Sequence, residues 1–264
     1  MLETDGLMKI LESFAPLELS RKSVENGDYD NSGIIIGGDR AVNRILFSLD
    51  LSEAAVKRAA GLKCDTVVTH HPAIYLPVKS LSLSDGTTAP VLRAANARMN
   101  VISMHLNLDL ATEGTDACLA EALGAKDYKI LDYIDDRHGY GREFTVRKTT
   151  FGEFVRRAKK ALFTSRVLAY GKKSDEINKC ASFAGAGSSH ALKAVACGRT
   201  GAQVIITSDM PHHVIRELVE AGKKILLITH YAAENYGFEK FYEIASEKIG
   251  SRAQTYYFRD KRFM

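Results

Sequence analysis

Ala60-Gly-Leu-Lys-Cys64-Asp-Thr-Val-Val-Thr69-His70-His71-Pro72 is the stretch from which the fold can be read. Val67, Val68 and Thr69 form a short β-branched run, the composition of a buried strand. Proline ends it directly after two histidines. Neighbouring residues of an extended chain point to opposite sides, so the two imidazoles cannot both enter one core. At least one faces a crevice at the strand end. A weak echo recurs as Arg199-Thr-Gly-Ala-Gln-Val204-Ile-Ile-Thr207, followed by Ser208-Asp209-Met210-Pro211-His212-His213. A second pair follows. Val101-Ile-Ser-Met104 leads into His105, with Asp109 four residues on, and Leu226-Leu-Ile-Thr229 leads into His230, with Glu234 four residues on. Each half thus ends its strands in histidines and carboxylates. Open α/β sheets bind ligands at such strand ends.

Outward from these stretches, apolar runs alternate with helical patterns. Strands are expected at Gly33–Ile36, 45–49, Thr66–Thr69 and 101–104, and helices at 52–60, 90–99 and 115–123. Ser52 is placed to cap the first of these helices and Gly61 to end it. Residues 127–180 break the rhythm, with charged loops over 132–142, a strand at 143–147, a helix at 151–163 and a strand at Val167–Tyr170. Alternation then resumes, with strands at 181–184, 203–207 and 224–229, helices at 188–197, 212–221 and 232–248, and a last strand at Gln254–Phe258. The expected fold class is α/β. Two similar α/β lobes, residues 1–126 and 181–264, would face a shared metal-containing crevice, with 127–180 as a smaller inserted middle segment.

Composition narrows the class. With 264 residues, 45% of them hydrophobic, the chain can build one large core or two smaller ones. No apolar run approaches the roughly 20 residues that cross a bilayer. The acidic, amphipathic start reads as a first helix rather than a signal peptide, so a cytoplasmic protein without a membrane partner is expected. Cys64, Cys118, Cys180 and Cys197 lie far apart with no C-x-x-C pair, and buried free thiols are expected. A net charge of +4 permits an anionic ligand such as a nucleotide. Arg156, Arg157, Lys159 and Lys160 lie opposite Phe151, Phe154, Val155, Ala158 and Leu162 at helical spacing. They read as a solvated helix face, which leaves a nucleic-acid partner weakly supported.

The chemistry lies in the strand-end residues. Neutral imidazole is a common metal ligand, and Asp109 is a hard anionic one. His105 fits a ligand, an orienting partner for Asp109 or a buried core histidine, and Asn107 a substrate contact or a turn. If a helix has begun at His230, the four-residue spacing puts Glu234 on the same face, where both can chelate one ion. His70, His71, Asp109, His230 and Glu234 together are too polar a set to bury without a cation. Their nitrogen and oxygen donors suit zinc, manganese, iron or nickel. Five donors suffice for two divalent ions, about 3.5–4 Å apart, if Asp109 or Glu234 bridges. Gly185-Ala-Gly187-Ser188-Ser189-His190 opens a helix and reads as a tight structural turn or a phosphate cradle. His212 and His213 read as proton carriers in the same crevice or as a surface helix start.

Several pieces combine in order: Asp30-Asn31-Ser32-Gly33 with Gly37, Thr69-His70-His71-Pro72, His105-Leu-Asn107-Leu-Asp109, the Gly185–Gly187 turn, Thr207-Ser208-Asp209, and His230-Tyr231-x-x-Glu234. In this order they resemble the GTP cyclohydrolase I type 2 homologues, also called NGG-interacting-factor-three-like proteins, over nearly the whole chain. The resemblance implies two α/β lobes around a dinuclear site, with metal ligands at His70, His71, Asp109, His230 and Glu234, and a ring-shaped homohexamer. It also implies hydrolytic opening of the guanine ring of GTP, with His105 or His212 carrying protons. Departures fall around the ligands rather than on them. Leu106 stands for a usual threonine, Thr229 for a common glycine, and Ala184 and Ala186 loosen the glycine-rich turn.

Three functions are therefore carried forward. The first is a metal-dependent hydrolase of a nucleotide or related heterocycle. The second is a dinuclear metal phosphoesterase. The third is a ring-forming metal-binding regulatory or scaffold protein without catalysis.

Overall fold

A computed structural model describes residues 2–38 and 41–263. In chain order the helices are α1 (Thr4–Glu12), α2 (Leu17–Glu25), α3 (Glu53–Gly61), α4 (Thr88–Asn96), α5 (Leu106–Leu110), α6 (Thr115–Ala122), α7 (Phe151–Ala161), α8 (Ser188–Ala196), α9 (His212–Glu220) and α10 (His230–Ile249). The strands are β1 (Gly33–Ile36), β2 (Arg44–Ser48), β3 (Thr66–Thr69), β4 (Asn100–Ser103), β5 (Tyr128–Tyr133), β6 (Gly139–Thr150), β7 (Val167–Tyr170), β8 (Glu176–Ser182), β9 (Val204–Thr207), β10 (Lys224–Ile228) and β11 (Gln254–Phe258). The fold is mixed α/β, as the alternation predicts. The chain divides into two compact units, Met1–Ala111 with Phe238–Asp260, and Thr112–Gly237 with Lys261–Met264.

The first unit is built on a sheet of order β1-β4-β3-β2-β11. β4, β3, β2 and β11 run parallel and β1 antiparallel to β4. Both faces are covered, so the strands are continuous apolar runs rather than alternating ones. Leu46, Val67 and Val101 pack on one face with Val56, Ala59 and Ala94 of α3 and α4. Phe47, one residue along and therefore on the other face, meets Phe238, Phe241 and Tyr242 of α10. Ser52 caps α3 as expected, its side chain accepting from the Ala55 amide. Gly61 lies within that helix rather than after it. It is the last helical residue, and Lys63 takes the left-handed conformation two positions on, with φ 56°.

The second unit has a sheet of order β5-β6-β8-β9-β10-β7. β8, β9 and β10 are parallel, while β7 is antiparallel to β10 and β6 to β8. Residues 127–180 supply β5, β6, β7 and most of β8 to this sheet. The stretch 132–142, expected as charged loops, instead contains the end of β5 and the start of the long β6, paired as a hairpin. α7 buries Phe151, Phe154 and Ala158 and turns its basic residues outward, as its spacing predicts. Cys64, Cys118 and Cys180 are buried free thiols, but Cys197 is exposed at the end of α8, contrary to expectation. Among the described residues no helix is long and apolar enough to cross a membrane.

One buried ion pair ties the second unit together. Arg142 of β6 and Asp116 of α6 have fully buried side chains, 2.9 Å apart. Arg142 also donates to the Gly139 carbonyl, and Asp116 accepts from the Ala184 amide at 3.0 Å. These additional hydrogen bonds offset part of the desolvation that the pair costs. Removing one partner leaves the other charge buried. Arg142→Ala is expected to lower stability by about 3–5 kcal/mol, seen as a fall in the urea midpoint. An unchanged midpoint would show that the pair contributes nothing.

Candidate metal centre

In the first unit the parallel register brings the ends of β2, β3 and β4 level, with Ser48 beside Thr69 and Thr69 beside Ser103. The residues that follow therefore leave the sheet along one edge. The amides of His70 and His71 both donate to the Leu49 carbonyl, at 3.1 and 3.0 Å, which fixes the chain where β3 stops. His105 is the N-cap of α5, and its amide donates to Ser32 Oγ at 3.1 Å.

Each imidazole here is held by Nδ1. His70 Nδ1 lies 2.8 Å from the Met104 carbonyl oxygen, which can only accept. Nδ1 must then carry the hydrogen, and in the neutral ring the lone pair sits on Nε2. His71 Nδ1 meets Asp50 Oδ1 at 2.7 Å, and His105 Nδ1 meets Asp30 Oδ1 at 2.7 Å. Burial pushes the Asp30 carboxyl upward, but the His105 and Ser32 hydrogen bonds and the His105 charge outweigh it, holding the group below the usual carboxylate range. Ligand atoms of His70, His71 and His105 lie within 4.8 Å of one another. Asp109, brought round by the short α5, places Oδ1 3.4 Å from His70 Nε2. Asn107 is engaged elsewhere, donating to the Ala15 carbonyl at 2.7 Å, which gives it a structural role.

The second unit has its own pair. α10 begins at His230, so the spacing to Glu234 does place both on one helix face, with Nε2 and Oε1 3.1 Å apart. His230 Nδ1 meets Asp209 Oδ2 at 2.6 Å, the same arrangement as in the first unit. Burial disfavours the charged ring, but Glu234 and Asp209 more than compensate, and its pKa is pushed up to about 10. Two carboxylates around one imidazole favour positive charge, the condition a metal ion also satisfies. Gly185 leaves room for this pair. It has φ +61°, and an added Cβ would overlap Glu234 Oε1 and approach His230 Nε2 to 3.2 Å. The Gly187 amide is engaged by Thr207 Oγ1 at 3.2 Å, and its own missing Cβ makes room for Phe183. The turn therefore serves packing. His212 and His213 stand exposed at the start of α9 and enter none of the ligand groups among the described residues.

The orienting groups were the least visible in the sequence. Asp30 and Asp209 stood inside quoted motifs, but Asp50 did not. Its one signal is its place directly after a strand that ends level with β3. The Met104 carbonyl has no signal at all, because any residue carries one.

Gly185→Ala tests the room made for Glu234. The left-handed backbone and the overlap are expected to cost about 1–3 kcal/mol, read as a lower melting temperature, together with reduced metal content by elemental analysis. Wild-type values for both would show that Glu234 does not need this space.

The sequence matches the family described as Duf34/NIF3 (NGG1p interacting factor 3) over residues 2–259. A Clostridium perfringens protein named GTP cyclohydrolase 1 type 2 homolog is 26% identical over 254 residues, covering 95% of this chain and 94% of that one. A Methanocaldococcus jannaschii protein of the same name is 28% identical over 252 residues, covering 94% and 96%. The crystal structure of a Bacillus cereus protein related to NIF3 superposes with a TM-score of 0.85 over 96% of each chain. At 18% identity that likeness concerns the fold alone. With the match running over almost its full length, the chain belongs to the Duf34/NIF3 (NGG1p interacting factor 3) family.

Proposed function

We propose that the protein is a metal-dependent hydrolase that opens the ring of a nucleotide or related heterocycle at a dinuclear site. Its ligands are His70, His71, Asp109, His230 and Glu234. The observation that carries this reading is that the Nδ1 of His70, His71 and His230 is each engaged by an oxygen acceptor, so that Nε2 is the nitrogen each ring can offer a cation, which at His230 would take the place of the proton that Glu234 and Asp209 favour. The donor set of imidazoles and carboxylates, without thiolate, suits a divalent ion such as zinc, manganese, iron or nickel. His230 and Glu234 alone are too few to complete a coordination sphere, since a protein site for such an ion commonly supplies three or four ligands.

Divalent ions held there would supply Lewis acidity and activate water. The chain's own residues divide the remaining work. His105 is the proton carrier. Asp30 stays ionised and holds Nδ1, so the exchangeable proton resides on Nε2 of a ring whose centroid lies 5.3 Å from that of His70. Asp50 and Asp209 keep His71 and His230 from rotating away. The relatives named GTP cyclohydrolase 1 type 2 homolog direct the choice of GTP as the first substrate to test.

Asp109→Ala and Glu234→Ala are expected to lose bound metal, measured by elemental analysis. Unchanged stoichiometry in both would remove the ligand assignment. His105→Gln is expected to keep its metal and lose turnover by about 10²–10⁴-fold. Formate release from GTP by the metal-loaded protein is the assay. Absence of formate, with phosphate released instead, would replace ring opening by phosphoester cleavage.

A further inference from the structure

Four consecutive residues, Tyr29, Asp30, Asn31 and Ser32, act on the surroundings of His105. Asp30 holds the His105 ring, and Ser32 accepts from the His105 amide. Asn31 Nδ2 donates to the Ile74 carbonyl at 2.6 Å, and the Tyr29 carbonyl accepts from the Tyr75 hydroxyl at 3.1 Å. The Ala73 amide adds a bond to Ser103 Oγ at 3.3 Å. Residues 73–75 follow the β3 histidines in a loop, yet three hydrogen bonds tie them to the sheet and to the segment before β1.

An aromatic ring is what these ties hold. The Tyr75 ring centroid lies 5.9 Å from that of His105, with the planes at 84°. Tyr29 stands against Tyr75 in turn, at 5.1 Å and 78°. Tyr75 nevertheless remains 44% exposed and Tyr29 43%. Core packing does not account for this. Ordering a loop costs conformational entropy, and leaving aromatic surface in water forgoes the gain of burying it. Burial, with the charge of Asp30, pushes the Tyr75 hydroxyl upward, so it remains a neutral donor to Tyr29.

We propose that Tyr75, braced by Tyr29, is a stacking wall that selects a planar heteroaromatic ring, of the nucleobase class, for the site at His105. The proposal rests on the hydrolase reading above and deepens it by naming the part of the substrate that is gripped. Every base has a π face, so such a wall distinguishes a ring from a sugar or phosphate without choosing among bases. A ring already pinned by its hydroxyl and its loop loses little freedom on binding, which favours affinity. Phenylalanine at this position keeps the face and loses only the hydroxyl tie. Leucine keeps the bulk and loses the face.

The test is calorimetric titration of metal-loaded protein with guanosine, adenosine and inorganic phosphate, for wild type, Tyr75→Phe, Tyr75→Leu and Tyr75→Ala. Guanosine and adenosine are expected to bind Tyr75→Leu and Tyr75→Ala about tenfold or more weakly than wild type, with Tyr75→Phe within about threefold. Phosphate affinity is expected to be the same in all four. Elemental analysis of each variant reads the metal site separately. A wild type without metal overturns the hydrolase reading, whereas full metal content with no nucleoside binding overturns the wall alone. Equal nucleoside affinity in Tyr75→Leu and Tyr75→Phe would also overturn it, because only the aromatic face separates them.

Discussion

Four imidazoles are each held at Nδ1 by an acceptor the backbone delivers: the Met104 carbonyl for His70, Asp50 for His71, Asp30 for His105 and Asp209 for His230. The remaining chemistry depends on this constraint. A free imidazole rotates and exchanges tautomers, and only one arrangement presents a lone pair in a chosen direction. With Nδ1–H engaged, the neutral ring has its basic nitrogen at Nε2 and its plane fixed. For His70, which is fully buried, a carbonyl partner leaves no alternative for Nδ1. At His230 the Glu234 and Asp209 carboxylates also raise the basicity of the ring, which favours binding a cation.

The sheets explain how these acceptors arrive. In the first unit the order β1-β4-β3-β2 places an antiparallel edge beside three parallel strands, and in the second the order β7-β10-β9-β8 repeats it. In each unit the polar residues follow the carboxyl ends of the parallel strands, the usual ligand position in this architecture. The chemistry at matching positions differs. The end of β3 carries His70 and His71, whereas the end of β9 carries Ser208 and Asp209. Asp50 follows β2, whereas Gly185 follows β8 and gives up its side chain for Glu234. One frame thus carries mostly imidazoles at its strand ends, and the other an imidazole, a carboxylate and the space to place them.

Much of this was legible in the sequence where local pattern and tertiary role agree. β3, β4, β9 and β10 are buried on both faces, so their β-branched and leucine-rich runs announce strands, and a histidine directly after such a run has little structural reason to be there. The i,i+4 relation of His230 and Glu234 followed once a helix was assumed to start at His230. Other features depend on contacts that local pattern does not encode. β6 carries Arg142, Glu143 and Arg147, and its start read as loop because charge suggests solvent, although Arg142 is buried against Asp116. Gln254–Phe258 reads as a strand, but no periodicity says that its neighbour is β2, more than 200 positions earlier. Tyr75 carries no local signal, because the partners that hold it lie in the segment before β1, more than 40 positions away.

The central claim is that cations are bound through Nε2 of histidines whose Nδ1 is already engaged. Anomalous diffraction from crystals of the zinc- or manganese-loaded protein tests it most directly. The account predicts metal peaks at bonding distance, about 2.0–2.2 Å, from Nε2 of His70, His71 and His230, with carboxylate oxygens of Asp109 and Glu234 completing the spheres. Peaks bonded through Nδ1, or no peak beside these rings at full metal loading, would contradict it.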